Sequence, residues 1–298
     1  MSTDIAGDVA APAVLPALDL SKMFQIASFL IKLGHGAGLG LSPAGMAVDA
    51  VFAFLQNGGF TGLVKAFQTF HGLKPSGALD ADTLAKINAN RCAHADVMAS
   101  TTLCKWPVSK VTWSQKVSLA TLPGELLAPI YTRAWAAWAD VCGIEPDQVL
   151  PGIPANVEAM SGSGKKYSLD GPGGVLAWSQ LPCGASAGTR LSQVFDSSEQ
   201  WDADMFLAVA THEIGHAIGI PHLGAGTLMN PYYTPGITAP TAGDIAEAVK
   251  RYGPPKPAAA PAPVPAPAPT PAAPGTTFVV NVPEAGNYLL TLNMVKQT

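Results

Sequence analysis

The first third of the chain carries apolar side chains at helical spacing. Between residues 17 and 91, one predicted helix is marked by apolar residues three or four positions apart: Leu63, Val64, Phe67 and Phe70. Gly72 ends this helix, a turn at 75–77 follows, and Asp80 stands where a cap would begin the next helix. This part of the chain is therefore predicted to be helical.

The middle of the chain, residues 105–253, mixes short strand-like runs with longer helical ones. The runs at 110–113 and 175–178 favour β-strands. Two helices are predicted, at 129–141 and 205–218, where apolar residues recur at a helical period. Strands and helices are thus expected within one domain.

The pattern changes at residue 254. Residues 254–275 are almost entirely Pro and Ala, which favours an extended, semi-rigid linker. Residues 276–298 then show two strand-like runs around a turn. Two strands are too few to be stable alone, so we interpret this segment as a partial β-rich C-terminal domain.

The composition narrows the possible partners. Hydrophobic residues make up 48% and charged residues 13%, so a large core is possible, and the net charge of -4 argues against a nucleic-acid partner. The best candidate for a membrane span, 23–33, is too short and contains Lys32. Asp4 and Asp8 lie where a secretory signal would be basic, so either a signal was removed or export uses another route.

The strongest chemical signal is a histidine motif near the end of the second predicted helix. His212 and His216 are four residues apart and share a helix face, so both imidazoles can reach one ion. Gly219 can turn the chain so that His222 returns as a third ligand, and the fourth tetrahedral position of a zinc ion stays open for water. Glu213 is placed to act on that water as a general base. The alternative is a set of ordinary core histidines.

Residues 212–222 match the metzincin signature, and 227–233 resemble the Met-turn and pocket wall of the matrix metalloproteinases. The resemblance, which also includes the closing helix at 244–253, implies an α+β catalytic domain: a twisted mixed sheet and three helices. It implies that Met229 lies beneath a single catalytic zinc and that Pro231 and Tyr233 border the substrate pocket. Residues 67–73 and 76–84 are similar to the family's peptidoglycan-binding-like prodomain, which is small and all-α.

Residues 90–97 are similar to the cysteine-switch segment of that family, usually Arg-Cys-Gly-Val-Pro-Asp. The resemblance implies that Cys92 occupies the open zinc position in a latent form, held by an Arg91–Asp96 ion pair. Ala93 replaces the usual Gly and would be strained if the position needs a positive φ, which predicts a looser loop. Ala95 replaces the usual Pro.

The four cysteines leave the disulfide pairing open. One alternative pairs Cys92 with Cys104 and removes the switch. If Cys92 instead binds zinc, our preferred bridge is Cys142–Cys183, which would need an oxidising compartment.

A second metal is implied by the same resemblance, because residues 170–177 and 195–201 resemble a calcium loop with oxygen ligands. The expected ligands are Asp170, Gly171, Gly173, Val175, Asp196 and Glu199. The alternative is a solvated Gly/Pro turn. The family's structural zinc is not expected, since its ligand positions fall at Ser163, Lys165, Trp178 and Val194.

Substrate contacts are also implied by the resemblance. Leu176 and Ala177 lie on the expected edge strand, to which a peptide adds as an antiparallel strand. Ala208 matches the floor of the S1′ pocket, and a small residue there predicts a deep apolar pocket that prefers a bulky apolar residue after the cut bond.

The sequence thus predicts a latent zinc-dependent endopeptidase, monomeric and secreted or extracellular, with protein or peptide substrates. Two alternatives stay open: a protein whose helical part binds a cell-wall polymer, and a hydrolase of wall peptide cross-links. The predicted domains are a disordered N-terminus (1–16), the prodomain (17–91), the switch and activation segment (92–104), the catalytic domain (105–253), the Pro/Ala linker (254–275) and the β fragment (276–298).

Overall fold

The computed structural model describes residues 19–41, 47–96, 103–150 and 152–256. The predicted N-terminus at 1–16, nearly all of the Pro/Ala linker and the β fragment at 276–298 lie outside the described residues. No helix within the described ranges is long and apolar enough to cross a membrane.

Among its described residues, the N-terminal part has four α-helices: α1 (Leu20–Lys32), α2 (Val48–Gln56), α3 (Gly59–Phe70) and α4 (Ala81–Ile87). Asp19 and Asp80 cap α1 and α4, each accepting a hydrogen bond from a first-turn N–H. Leu63, Val64 and Phe67 of α3 are fully buried in a cluster that the four helices share. The predicted helix and its end before Gly72 are confirmed, although Phe70 is 47% exposed.

The described residues from Arg91 onward combine one sheet with three α-helices. The strands are β1 (Arg91–Cys92), β2 (Lys110–Lys116), β3 (Glu145–Gln148), β4 (Val157–Gly162), β5 (Val175–Ser179) and β6 (Leu191–Asp196). The helices are α5 (Gly124–Ala139), α6 (Ala203–Ala217) and α7 (Ala242–Tyr252). The order in the sheet is β1-β5-β6-β4-β2-β3, with β5 and β6 antiparallel and the other pairs parallel. The predicted α+β class with a mixed sheet is confirmed.

Helix α6 is the centre of this part. Every residue from Met205 to Ala217 is buried, so the helix is surrounded by protein on all sides. Asp202 caps it by accepting a hydrogen bond from the Met205 N–H at 2.8 Å. Helix α5 packs beside it, and the Trp138 indole donates to the Thr211 carbonyl at 2.8 Å. His212 and His216 therefore lie on a helix that is packed against the protein on every side.

The predicted start of the helix at 129–141 is wrong. Helix α5 begins at Gly124, five residues before Pro129, which lies inside it. Proline removes only one backbone hydrogen bond there, and buried Leu127 and Tyr131 hold the surrounding turns against the core.

The disulfide also differs from our preferred bridge, because Cys104 pairs with Cys183. Cys142 is instead a free, buried thiol at the end of α5, where it donates to the Trp138 carbonyl. The alternative Cys92–Cys104 bridge is wrong as well, since Cys92 is free and buried.

Candidate metal centre and active site

His212 and His216 face each other across one turn of α6. Each Nδ1 lies 2.8 Å from a backbone carbonyl, that of Leu228 for His212 and that of Ile220 for His216. A carbonyl only accepts, so both Nδ1 atoms carry the proton and both Nε2 atoms present lone pairs. These two Nε2 atoms are 3.1 Å apart. Two facing acceptors repel each other unless a cation lies between them.

The third imidazole is returned by the turn after α6. Gly219 has a φ of 95°, and a side chain on it would collide with the Cys104 carbonyl. The turn brings the His222 ring to 4.8 Å from that of His216, centroid to centroid. The His222 side chain is 2% exposed, its Nδ1 lies 3.5 Å from the Asp96 Oδ1, and its Nε2 has no hydrogen-bond partner. A buried imidazole nitrogen without a partner is costly, which is consistent with a metal ligand.

Cys92 completes the group. Its sulfur and one nitrogen from each of His212, His216 and His222 lie within 4.8 Å of one another. The backbone N–H of His94 points to the Cys92 sulfur at 3.3 Å. Three imidazoles and one thiolate are a donor set that zinc accepts in tetrahedral geometry. The unpartnered His222 Nε2 and the facing lone pairs of His212 and His216 show that these residues fit such an ion.

Glu213 lies next to this group with its carboxyl group fully buried. Neither carboxyl oxygen has a hydrogen-bond partner. Burial raises the pKa of Glu213 to about 8. Burial also lowers the pKa of His212 to about 4 and that of His222 to about 3, so both imidazoles are neutral, the form that binds metals.

The turn that contains Met229 packs against α6 at Gly215. Met229 is fully buried, and a side chain at Gly215 would collide with its sulfur. The turn is held by Asp244 of α7, which accepts hydrogen bonds from the N–H groups of Leu228 at 2.8 Å and Met229 at 3.0 Å. Because the Leu228 carbonyl orients His212, Asp244 orients that histidine indirectly. The sequence analysis did not identify this role, although Asp244 was part of the closing-helix resemblance.

Strand β1 lies between β5 and the segment after Met229. On the β5 side, Arg91 N–H donates to the Gly174 carbonyl and Ala93 N–H donates to the Ala177 carbonyl. On the other side, Cys92 N–H donates to the Pro231 carbonyl at 2.9 Å. The chain direction of β1 is parallel to β5, opposite to the direction expected for a substrate.

The expected strain at Ala93 is absent. Among the described non-glycine residues only Ser168 has a positive φ. Ala93 therefore adopts an ordinary backbone conformation, and the prediction of a loose loop on this ground is wrong.

Asp96 accepts hydrogen bonds from several directions. The Arg91 guanidinium forms a fully buried ion pair with it. The His35 and His71 imidazoles also contact it, at 2.9 Å and 3.1 Å. Burial acts to raise the pKa of Asp96, but the neighbouring imidazoles and the Arg91 charge hold it well below its usual range. Sequence reasoning identified Arg91 and Asp96 but missed both histidines, for which only their residue type was a signal.

The expected calcium ligands lie around one loop. The Asp170 carboxylate accepts from the Val175 N–H at 2.9 Å, and that of Glu199 accepts from the Gly173 N–H at 2.7 Å. Asp196 is fully buried, and its Oδ2 has no partner. Burial raises the pKa of Asp170 and Glu199, and the charge of Asp196 adds to both shifts. The three carboxylates do not converge as closely as the donor atoms of Cys92, His212, His216 and His222.

A pocket opens beside Cys92, His212 and Glu213. Of the residues expected to contact substrate, four line it: Leu176, Ala208, Pro231 and Tyr233. Ala177 does not line it, since it lies further along β5 under Ala93. Arg91 and Cys92 also line the pocket, so β1 lies over the part of the pocket that is next to His212 and Glu213.

The region expected for the family's structural zinc is filled by apolar contacts. Val194 is buried with Leu169 and Val175, and Trp178 packs against them.

Comparison with known proteins agrees with this arrangement. Residues 105–253 match the family model described as Matrixin. The chain is 31% identical to the hatching enzyme of Paracentrotus lividus over 220 residues, which are 68% of the chain and 35% of that protein. It is also 31% identical to stromelysin-1 of Equus caballus, over 64% of the chain and 43% of that protein.

The match to matrilysin of Felis catus covers more of the relative: 31% identity over 65% of the chain and 78% of that protein. The chain spans less than half the length of the hatching enzyme and of stromelysin-1. With the family model matching half of its residues, the chain belongs to the matrixin family.

Proposed function

We propose that the protein is a latent zinc-dependent endopeptidase. The observation that carries the proposal is the buried convergence of three imidazoles and the Cys92 sulfur beside Glu213. His212, His216 and His222 would hold the ion, and Cys92 would occupy its fourth position until the segment is removed. Zinc, when bound, supplies a Lewis acid that polarises the scissile carbonyl and acidifies a water molecule.

The chain's own residues carry the proton transfers. A cation held beside Glu213 favours its ionised form, so Glu213 accepts a proton from the attacking water and then donates one to the nitrogen of the leaving amine. Its position next to His212 keeps it within the site, and its lack of hydrogen-bond partners leaves both oxygens available.

The direct test is hydrolysis of an internally quenched peptide by the chain after its prodomain has been removed. We expect activity that is lost on zinc chelation and restored by one equivalent of zinc. Activity that survives complete removal of zinc would contradict the proposal.

Substrates would bind along β5 once β1 has left. Displacing β1 frees the Gly174 and Ala177 carbonyls, which a peptide can contact as an added strand. The side chain after the scissile bond would enter the pocket lined by Leu176, Ala208 and Tyr233. Natural substrates are therefore extended protein or peptide segments.

We predict that the processed enzyme prefers Leu to Ala after the scissile bond by about 50-fold in kcat/KM. The difference is about three methylenes at ~0.8 kcal/mol each, if the pocket buries them fully. Ala208→Phe should reverse this preference, because the larger ring fills the pocket floor. Comparing paired peptides with each variant provides an internal control, and a preference for charged or small residues in the unmodified enzyme would refute the assignment.

We also propose that Asp170, Asp196 and Glu199, with carbonyls of Gly171, Gly173 and Val175, bind one calcium ion. The unpartnered buried Asp196 oxygen supports this, because a cation would satisfy it. No structural zinc is proposed.

Calcium should therefore raise the melting temperature of the chain. At a hundredfold excess over its Kd the gain is about 2.7 kcal/mol, which corresponds to roughly 5–10 °C. Differential scanning fluorimetry with calcium, against equal magnesium, measures it. The shift should vanish in Asp196→Asn and persist in Asp147→Asn, an exposed carboxylate. An unchanged shift in Asp196→Asn would contradict the site.

The domain boundaries follow the same proposal. The helical part has a buried cluster of its own, which supports a prodomain at 17–91. Residues 92–104 form the switch and activation segment, 105–253 the catalytic domain and 254–275 the linker. The Cys104–Cys183 disulfide favours an oxidising, extracellular location, and we propose a monomer.

A further inference from the structure

We propose that His35 and His71 are positioning residues for latency: they hold Asp96, and through it Arg91 and Cys92, against the metal group. The inference deepens the proposed function and rests on it. In this proposal the helical part holds the switch segment by direct hydrogen bonds, in addition to the Arg91–Asp96 pair that the family resemblance implies.

The hydrogen bonds to Asp96 come from the ends of two prodomain helices. His35 lies in the turn after α1, and His71 caps the C-terminus of α3. Their Nε2 atoms lie 2.9 Å and 3.1 Å from the same Asp96 oxygen, Oδ2. The three side chains are at most 5% exposed. The Asp96 N–H also donates to the Leu33 carbonyl at 2.9 Å, so main chain and side chain are held together.

These contacts continue into the active site. Arg91 Nη1 donates to the Tyr232 hydroxyl at 3.1 Å, and that hydroxyl lies 3.3 Å from His71 Nε2. Asp96 Oδ1 lies 3.5 Å from Nδ1 of His222. A closed polar ring of His71, Asp96, Arg91 and Tyr232 thus joins the prodomain, the switch segment and the pocket wall.

The charge of Arg91 distinguishes this ring from a second metal site. His35, His71 and Asp96 have donor atoms close enough to hold an ion. However, the Arg91 guanidinium contacts both oxygens of Asp96. A divalent cation on the same carboxylate would meet this buried positive charge, and the two imidazole contacts are already satisfied as hydrogen bonds. The imidazoles therefore act as donors.

Removing one donor should make the switch open more often. A buried hydrogen bond to a charged group is strong enough that its loss should change the open population by about tenfold or more. Opening exposes Cys92, so the rate at which an alkylating reagent labels Cys92 in the intact chain measures it. Mass spectrometry of the labelled peptide separates Cys92 from Cys142, the other free thiol.

We expect His71→Phe and His35→Phe each to raise the Cys92 labelling rate by about tenfold or more. His71→Gln should stay nearer to the unmodified chain, because a glutamine amide can still donate to Asp96. Equal labelling rates for the Phe and Gln variants, or no rise with either Phe variant, would overturn the inference.

Gln68→Met is the matched control for general loosening of the prodomain. Gln68 is a fully buried residue of α3. Its side-chain hydrogen bonds join it to the turn before α4 and to the start of α4, at Ser76, Gly77, Ala78 and Thr83. If Gln68→Met and His71→Phe lower the melting temperature by the same amount, Cys92 should be alkylated more slowly in Gln68→Met than in His71→Phe. Equal rates would show that His71 acts only through prodomain stability and would overturn the proposal.

Two further readouts keep this test separate from the proposed function. The Cys92 labelling rate does not depend on catalysis, so it tests the role of the two histidines separately from the peptidase activity. The activity of the intact Cys92→Ser chain tests latency with both histidines unchanged. Zinc analysis of the intact chains should give the same content with and without His35→Phe. A fall from two zinc ions to one would overturn the inference, because the imidazoles would then be metal ligands.

Discussion

Glu213→Gln reduces peptide hydrolysis by the processed enzyme by about 10³-fold or more, with zinc content unchanged. The substitution keeps the size of the side chain but removes the carboxylate that accepts and returns the proton, and proton transfer of this kind contributes ~10²–10⁴-fold. Glu213 is buried without hydrogen-bond partners, so an amide can replace it without breaking a contact. Steady-state kinetics with a quenched peptide measure the loss.

Two controls make that result specific. Zinc analysis of Glu213→Gln should equal that of the unmodified chain, since Glu213 is not among the four residues whose donor atoms converge. Glu125→Gln, in the exposed first turn of α5, should leave turnover within about twofold, as expected of a substitution away from the site. Turnover of Glu213→Gln within tenfold of the unmodified enzyme would show that another group performs the proton transfer.

Cys92→Ser makes the intact chain active without any cleavage. A neutral hydroxyl is a much weaker zinc ligand than a thiolate, so the fourth position is left to water. We expect activity of the uncleaved chain to rise by about 100-fold or more, corresponding to ~2.7 kcal/mol of lost ligation. The measurement is peptide hydrolysis by freshly purified chain, with electrophoresis to show that it is uncleaved.

Cys142→Ser is the matched control, because Cys142 is the other free and buried thiol and lies at the end of α5. It should leave the intact chain inactive. If Cys92→Ser stays inactive until it is cleaved, steric blocking by β1 alone maintains latency and the thiol is not required.

Local spacing was sufficient to predict much of the fold. The apolar face of α3, its end before Gly72 and the Asp80 cap all depend on neighbours within four residues. Strands β3, β4 and β6 were not identified, since their hydrogen-bond partners are distant in sequence. The start of α5 was misplaced for a related reason: tertiary burial of Leu127 and Tyr131 tolerates Pro129 inside the helix.

The three histidines of the candidate metal centre could also be predicted from residues that are close in sequence. His212, His216 and His222 converge because a helix turn and one glycine determine their spacing. Contacts between distant segments were invisible at that level. Asp244 holds the methionine turn, and Cys104 approaches Gly219 and pairs with Cys183. Each of these depends on the packed chain, as does the gathering of two histidines on Asp96.

The central claim is that one zinc ion in the intact chain is held by three imidazoles and one thiolate. X-ray absorption at the zinc edge of the purified, uncleaved protein tests it most directly. We predict three nitrogen neighbours at about 2.0–2.1 Å and one sulfur at about 2.3 Å, with the sulfur lost in Cys92→Ser. A first shell without sulfur, or one without three nitrogens, would contradict the account.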